Sequence, residues 1–174
     1  MYSAQMGGAL NAEGSLNDYF TRQLTGAGVP SFLGGQSAVV NVQYPYQPLT
    51  FPSFSVSHLG AVPTVYHRDL GDGTRAAHQV GQAQIDCWAS WNKSSGQAHY
   101  QLLQMRDMAA RCFATGAAIP MLNVNAGTAY PVSNGTLVRA EPAEYSHSPP
   151  DPNPDVMRVT LLVRYSWEER VSAT

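Results

Sequence analysis

The segment VMRVTLLVRYSWEE, residues 156–169, constrains the fold more than any other part of the chain. Met157, Val159, Leu161, Val163, Tyr165 and Trp167 alternate with Arg158, Thr160, Arg164 and Ser166, and Leu162 is the one apolar residue in the polar set. Side chains on a strand point to opposite faces in turn, so this period of two describes a strand with one face in a core. The segment QAQIDCWASW, residues 82–91, repeats the pattern. Ala83, Ile85, Cys87, Ala89 and Trp91 fall on one face, and Gln82, Gln84, Asp86, Trp88 and Ser90 on the other. Strands of this kind belong to a sheet covered on one side only. Trp88 and Leu162 are then two exposed apolar side chains on a polar face, a candidate contact surface.

Two helices are expected to cover the apolar face. In SLNDYFTRQLTG, Leu16, Phe20 and Leu24 recur every four residues, with Ser15 as N-cap, Asp18 as a shortened capping box and Gly26 at the C-terminal end. After the second alternating strand, Ser94 caps a helix with Gln97 three residues on. Leu102, Met105, Ala109, Cys112 and Phe113 form its apolar stripe, and Gly116 ends it. The Gly-rich residues 1–14 read as a flexible arm.

Between these elements, residues 27–50 are broken by Gly and Pro, with SAVVNV as a short strand. Phe54, Val56 and His58 alternate with Ser53, Ser55 and Ser57. A hairpin tip is expected at Gly71-Asp72-Gly73. An irregular stretch precedes the strand GTLVRAEPAEYS, and the four prolines of HSPPDPNPD forbid a helix or central strand there. The expected fold is α+β: a single antiparallel β-sheet packed by two main α-helices, with long loops and hairpins, in one domain over residues 1–174.

Charge and composition narrow the function. With 13% charged residues, ten scattered Lys and Arg and a net charge of −2, the chain lacks the basic stripe of a dedicated nucleic-acid binder. No apolar run reaches the roughly 18–20 residues that span a bilayer. The N-terminus lacks the basic start and apolar core of a signal peptide, so synthesis and residence in a reducing cytoplasm are expected. Cys87 and Cys112, both in expected regular structure, read as buried thiols.

Candidate chemistry fails on geometry. Asp86 and Cys87 are consecutive on a strand and point to opposite faces, and a carboxylate neighbour raises a thiol pKa, the wrong direction for a nucleophile. His58, His67, His78 and His99 with Asp69 and Asp72 are the only possible metal set, but their spacings fit no ligand motif, and DLGDGT lacks the acids of a calcium loop. GGQSAVV places Val39 where a nucleophile elbow needs its second Gly. No enzyme activity, cofactor or metal is expected.

The strand VGQAQIDCWASW, the Ser-capped helix SSGQAHYQLLQMRDMAARCFATG directly after it, the closing strand VMRVTLLVRYSWEE and the leading helix LNDYFTRQLTG together resemble the tail terminators of tailed bacteriophages. The resemblance implies a virion protein at the head-proximal end of the tail, assembled in the host bacterial cytoplasm as a ring, usually a hexamer. Such a ring caps the tail tube, stops its elongation and offers the head-attachment surface. Implied partners are further copies of the chain, the tail tube protein and head–tail connector or neck proteins, with DNA passing through the lumen and no membrane. The loops around Asp69, Asp72 and Arg75 and around Pro149, Pro150 and Asp151, with Trp88 and Leu162, are the candidate ring and partner contacts. A head–tail connector or tail-completion protein is the alternative, and a small α+β ligand-binding or enzymatic domain a more distant one.

Overall fold

A computed structural model describes residues 9–25, 39–41, 51–69, 74–90, 98–114, 117–122, 137–147 and 156–172. In chain order the elements are α1 (Ala9–Thr25), β1 (Val39–Asn41), β2 (Ser53–Asp69), β3 (Thr74–Ser90), α2 (Ala98–Phe113), β4 (Ala117–Pro120), β5 (Leu137–His147) and β6 (Val156–Ser172). The two segments with the cleanest alternation, β3 and β6, pair antiparallel without a register break from Thr74↔Ser172 to Ser90↔Val156. Neither contains a proline, as central strands require.

The sheet grows outward from this pair in the order β1-β2-β3-β6-β5-β4. The five strands β2 to β6 run antiparallel to their neighbours, as the alternation predicts, and short β1 joins β2 in parallel. Prolines occur only in the described strands outside the central pair, and those of β2 and β5 sit where pairing is interrupted. Pro63 of β2 precedes a register shift to His67, and Pro142 of β5 one to Glu144. A further shift between His58 and Gly60 is accommodated by a left-handed backbone at Gly60, φ 110°, which residues with a Cβ rarely adopt. β4 was not expected: four residues ending in proline are too few to show a period.

Both helices contribute to one core. Ala12, Leu16, Phe20 and Leu24 of α1 are buried, as are Leu102, Met105, Ala109 and Phe113 of α2, against Phe54, Val56, Ala83, Ile85, Cys87, Leu161 and Val163 of the sheet. Phe20 is the centre: it meets Phe54 edge-on at 5.5 Å and stacks on Phe113 at 5.8 Å. Tyr19 Oη donates to the Cys112 carbonyl (3.0 Å), tying α1 to the last turn of α2. Asp18 and Arg22 form an ion pair across one turn of α1 (2.9 Å).

The start of α1 corrects two expectations. The helix begins at Ala9, so residues 9–14 are helical rather than part of an arm, and Ser15 lies inside the helix rather than at its N-cap. The Ser15 hydroxyl donates to the Asn11 carbonyl one turn back (2.6 Å) and accepts from the Leu122 N–H (2.8 Å). A serine that satisfies the backbone in this way is tolerated in a helix interior. The expected cap residues Ser94, Gln97 and Gly116 and the core position Trp91 lie outside the described residues.

One close approach fixes the centre of the sheet. Gly81 of β3 faces Tyr165 of β6, and a Cβ on Gly81 would lie 2.5 Å from Cζ of that ring. The ring has little freedom to move, because it stacks on Trp167 at 5.6 Å and its hydroxyl meets His58 at 3.2 Å. Gly81→Ala is therefore expected to destabilise the fold by about 1–3 kcal/mol through overpacking. Urea unfolding of the two proteins checks this, and equal midpoints would refute it.

Candidate functional site

The sheet face turned away from the helices carries the polar half of the alternation, and the structure divides it in two. Towards the end of the sheet where β1 joins β2, cross-strand rows run Ser53–Trp88–Arg158, Ser55–Asp86–Thr160 and Ser57–Gln84–Leu162. This half is not a wet face. Ser53, Ser55, Asp86, Trp88, Ser90 and Thr160 are all buried. The expectation that Trp88 is exposed is thereby corrected: it is 2% accessible, donates Nε1–H to Ser55 Oγ (2.9 Å), and has the Arg158 guanidinium 5.2 Å from its ring centroid. Leu162 is half-buried between the rungs of Gln84 and Glu144.

Asp86 organises the buried rows. Its carboxylate accepts from Thr160 Oγ1 (2.5 Å) and from Gln84 Nε2 (2.9 and 3.1 Å), so hydrogen bonds replace lost hydration. On the opposite face Cys87 is fully buried. Burial first, and the nearby Asp86 charge second, push its thiol far up, while Arg106 opposes them more weakly. Cys112 is pushed up to about 11, chiefly by burial. Both thiols stay protonated at neutral pH and behave as packing groups.

His58, His78 and His99 do not converge; the side chain of His67 lies outside the described residues. His58 lies on the helix-covered face of β2, His78 is exposed on the opposite face of β3, and His99 is exposed on α2. Among the described residues no group of three His, Cys, Asp or Glu could hold a metal ion. His58 instead joins α1 to the sheet. Its Nε2 lies 3.1 Å from Asn17 Oδ1, and its Nδ1 lies 3.2 Å from Tyr165 Oη. Since the amide oxygen only accepts, the neutral ring donates from Nε2–H, and Nδ1 accepts a hydrogen bond from the Tyr165 hydroxyl. Burial pushes the His58 pKa below its ordinary value, against the pull of Glu13; burial, aided by Glu13, pushes Tyr165 up.

The other half of the polar face is open. His78, Ala118, Arg139, Glu141 and Arg164 are exposed there, and with Val80 and Ser166 they line a groove of about 520 Å³ across β3, β6, β5 and β4. Register places Glu141 opposite Arg164 and Arg139 opposite Ser166. Neither Arg139 nor Arg164 makes an ion pair among the described residues. The groove is charged and holds no converging catalytic set among these residues.

The candidate contact residues fall in separate places. Asp69 and Arg75 form the last rung of the β2–β3 hairpin. Trp88 lies 13 residues further along β3, about 43 Å at the rise of a strand. Asp72, Pro149, Pro150 and Asp151 lie outside the described residues. Arg139, Glu141 and Arg164 were missed. Arg164 was visible as an outward residue of β6, but nothing in the sequence aligns it with Arg139 and Glu141, 25 and 23 residues upstream.

No protein-family model matches the chain, and no curated protein matches it. Among solved structures, its fold is similar to that of a chain in the virion of a native gene transfer agent particle. The two share 16% identity with a TM-score of 0.54, over 90% of this chain and 97% of the other. A second solved chain is similar at a TM-score of 0.47 and 12% identity, over 89% of this chain and 94% of its own.

Two outcomes are expected. Thr160→Val removes a donor to buried Asp86 and costs about 1–3 kcal/mol of stability, read by urea unfolding. Because His58 has a lowered pKa when folded, the unfolded chain takes up its proton first. Its contribution is thus full above about pH 6.5 and declines as pH falls through the folded pKa. His58→Gln should flatten the slope of stability against pH below 6.5, and an unchanged slope would remove the assignment.

Proposed function

We propose that the chain is a virion structural protein of the tailed-phage kind, and that its role is that of a tail terminator. In this reading it forms a ring on the finished tail tube, ends tube growth and presents a surface to the head-side connector. The observation that carries the reading is the likeness to the gene transfer agent virion chain, which extends over 97% of that chain and so concerns a whole subunit rather than a shared motif. The order of elements that carries the sequence resemblance supports it: a leading helix, a strand feeding a second helix, and a long closing strand. The role asks for binding surfaces and no catalysis.

The shape of the sheet suits such a subunit. β2, β3 and β6 are 17 residues each, and β6 continues six residues beyond Ser166, its last partner with β5. That extension is about 20 Å of paired strand. It ends at the Asp69↔Arg75 rung, beside one of the loops proposed as partner contacts. A paired extension of this length suits contact with a neighbouring subunit or with the tube, as a heterologous ring interface requires.

The test is imaging of the purified protein alone, with tail tubes, and with portal-side rings. Rings seated on tube ends, with tube length held fixed on their addition, are the expected result. Binding to portal-side rings but not to tubes would move the assignment to a connector or tail-completion role, and binding to neither would end the virion reading.

A further inference from the structure

We propose that His58 and Tyr165 form an acid-opened latch at the root of the arm made by β2, β3 and β6. When His58 takes up a proton, its ring leaves the Tyr165 hydroxyl and the arm bends more freely about Gly60 and Gly81. The latch is a property of the single subunit and stands apart from the ring reading. Two glycines on neighbouring strands mark the root. On β2 the register is interrupted between His58 and Gly60, where Gly60 has its left-handed backbone. On β3, Gly81 pairs with Ala61 on one side and Tyr165 on the other. A glycine at a bulge or at a close approach is where a sheet bends against least side-chain resistance. Past this line the three strands run on to the rungs Asp69↔Arg75 and Thr74↔Ser172.

Tyr165 spans the line. Its hydroxyl meets His58 Nδ1 at 3.2 Å, its ring lies against Gly81, and it stacks on Trp167, the next residue of that face in the arm. Trp167 is buried, yet its Nε1–H has no hydrogen-bond partner. Packing, with Tyr165 as its aromatic neighbour, therefore holds the indole in place of a hydrogen bond. A buried donor left unpaired favours opening.

The closed arrangement needs a neutral imidazole. With Nε2–H donating to Asn17 Oδ1, a proton on Nδ1 removes the acceptor on which the Tyr165 hydroxyl relies. Burial disfavours the charged ring, whereas the Glu13 carboxylate favours it. Among the described residues, Glu13 of α1 and Tyr165 of β6 are the titratable groups that face His58, and its β3 neighbours Gly81 and Ala83 carry none. Glu13 is half-buried, one turn before Asn17, and draws the protonated ring towards it. His58 lies beyond the reach of β1, which pairs only with Ser53–Ser55, so no described strand flanks it on its outer side. The latch thus holds at neutral pH and opens as pH falls below the ordinary histidine value of about 6.5.

The experiment is amide hydrogen exchange, corrected for its intrinsic dependence on pH, on the wild type, His58→Gln and Tyr165→Phe. Each protein is measured at neutral pH and at an acid pH where NMR shows His58 of the wild type protonated, with circular dichroism to verify folding. In the wild type, amides of residues 61–69 and 167–172 are expected to lose protection roughly tenfold or more at acid pH, while those of 83–89 and 159–163 keep theirs. His58→Gln should remove the pH dependence. Tyr165→Phe keeps the ring on Trp167 but loses the hydroxyl, so its arm should exchange fast at both pH values. His78, on the opposite face of the arm, is retained in all three proteins and serves as the control. Unchanged arm protection in the acid wild type, an acid loss that persists in His58→Gln, or a loss shared equally by arm and core would overturn the latch. So would a His58 that stays neutral until the fold melts.

Discussion

The antiparallel ladder between β3 and β6 is the constraint to which the other elements refer. It runs unbroken along the whole of both strands, and each neighbouring strand takes its register from one of them. A slip of one residue would turn Ile85, Cys87, Leu161 and Val163 out of the core and put Asp86 and Thr160 into it. The large apolar side chains on the helix-covered face make that slip prohibitive. Gly81 adds a local lock, because only a residue without a side chain fits beneath the Tyr165 ring.

The same ladder carries two kinds of polar face. Near Asp86, polar side chains are buried and satisfy one another: Trp88 with Ser55, and Asp86 with Thr160 and Gln84. Towards Arg164 and Arg139 the face is open. Alternation reports whether a side chain can face water, not whether water is there. Where water is excluded, a charge such as Asp86 is held by hydrogen bonds and becomes part of the fold. Where it is not, Arg139 and Arg164 stay exposed to solvent.

This division accounts for how a sparsely charged chain could serve as a structural subunit. Most of its polar capacity lies in Ser, Gln, Thr and Asn, and some of it is consumed inside the molecule. Among the described residues, exposed charges include Arg22 of α1, Asp107 and Arg111 of α2, and Arg139, Glu141, Arg164 and Glu168 of the sheet.

Much of the fold was legible because its signals are periodic and local. The stripe of Leu16, Phe20 and Leu24, that of Leu102, Met105 and Ala109, and the alternations of β3 and β6 each carry their own face and element type. Together they imply two helices on one side of an antiparallel sheet. The start of α1 was not legible, because the hydroxyl of Ser15 finds Leu122, 107 residues away, and is freed from capping its own helix. Short β4 shows no period of its own, and although SAVVNV was expected as the short strand β1, its parallel pairing with β2 was not. The site was less legible still. Trp88 looked exposed because its row is polar, and the groove joins residues of four strands. Secondary structure and the core face thus follow from the sequence, through side-chain period. Burial on the far face and the placing of Arg139 beside Arg164 were decided by tertiary structure, since both depend on register between strands distant in the chain.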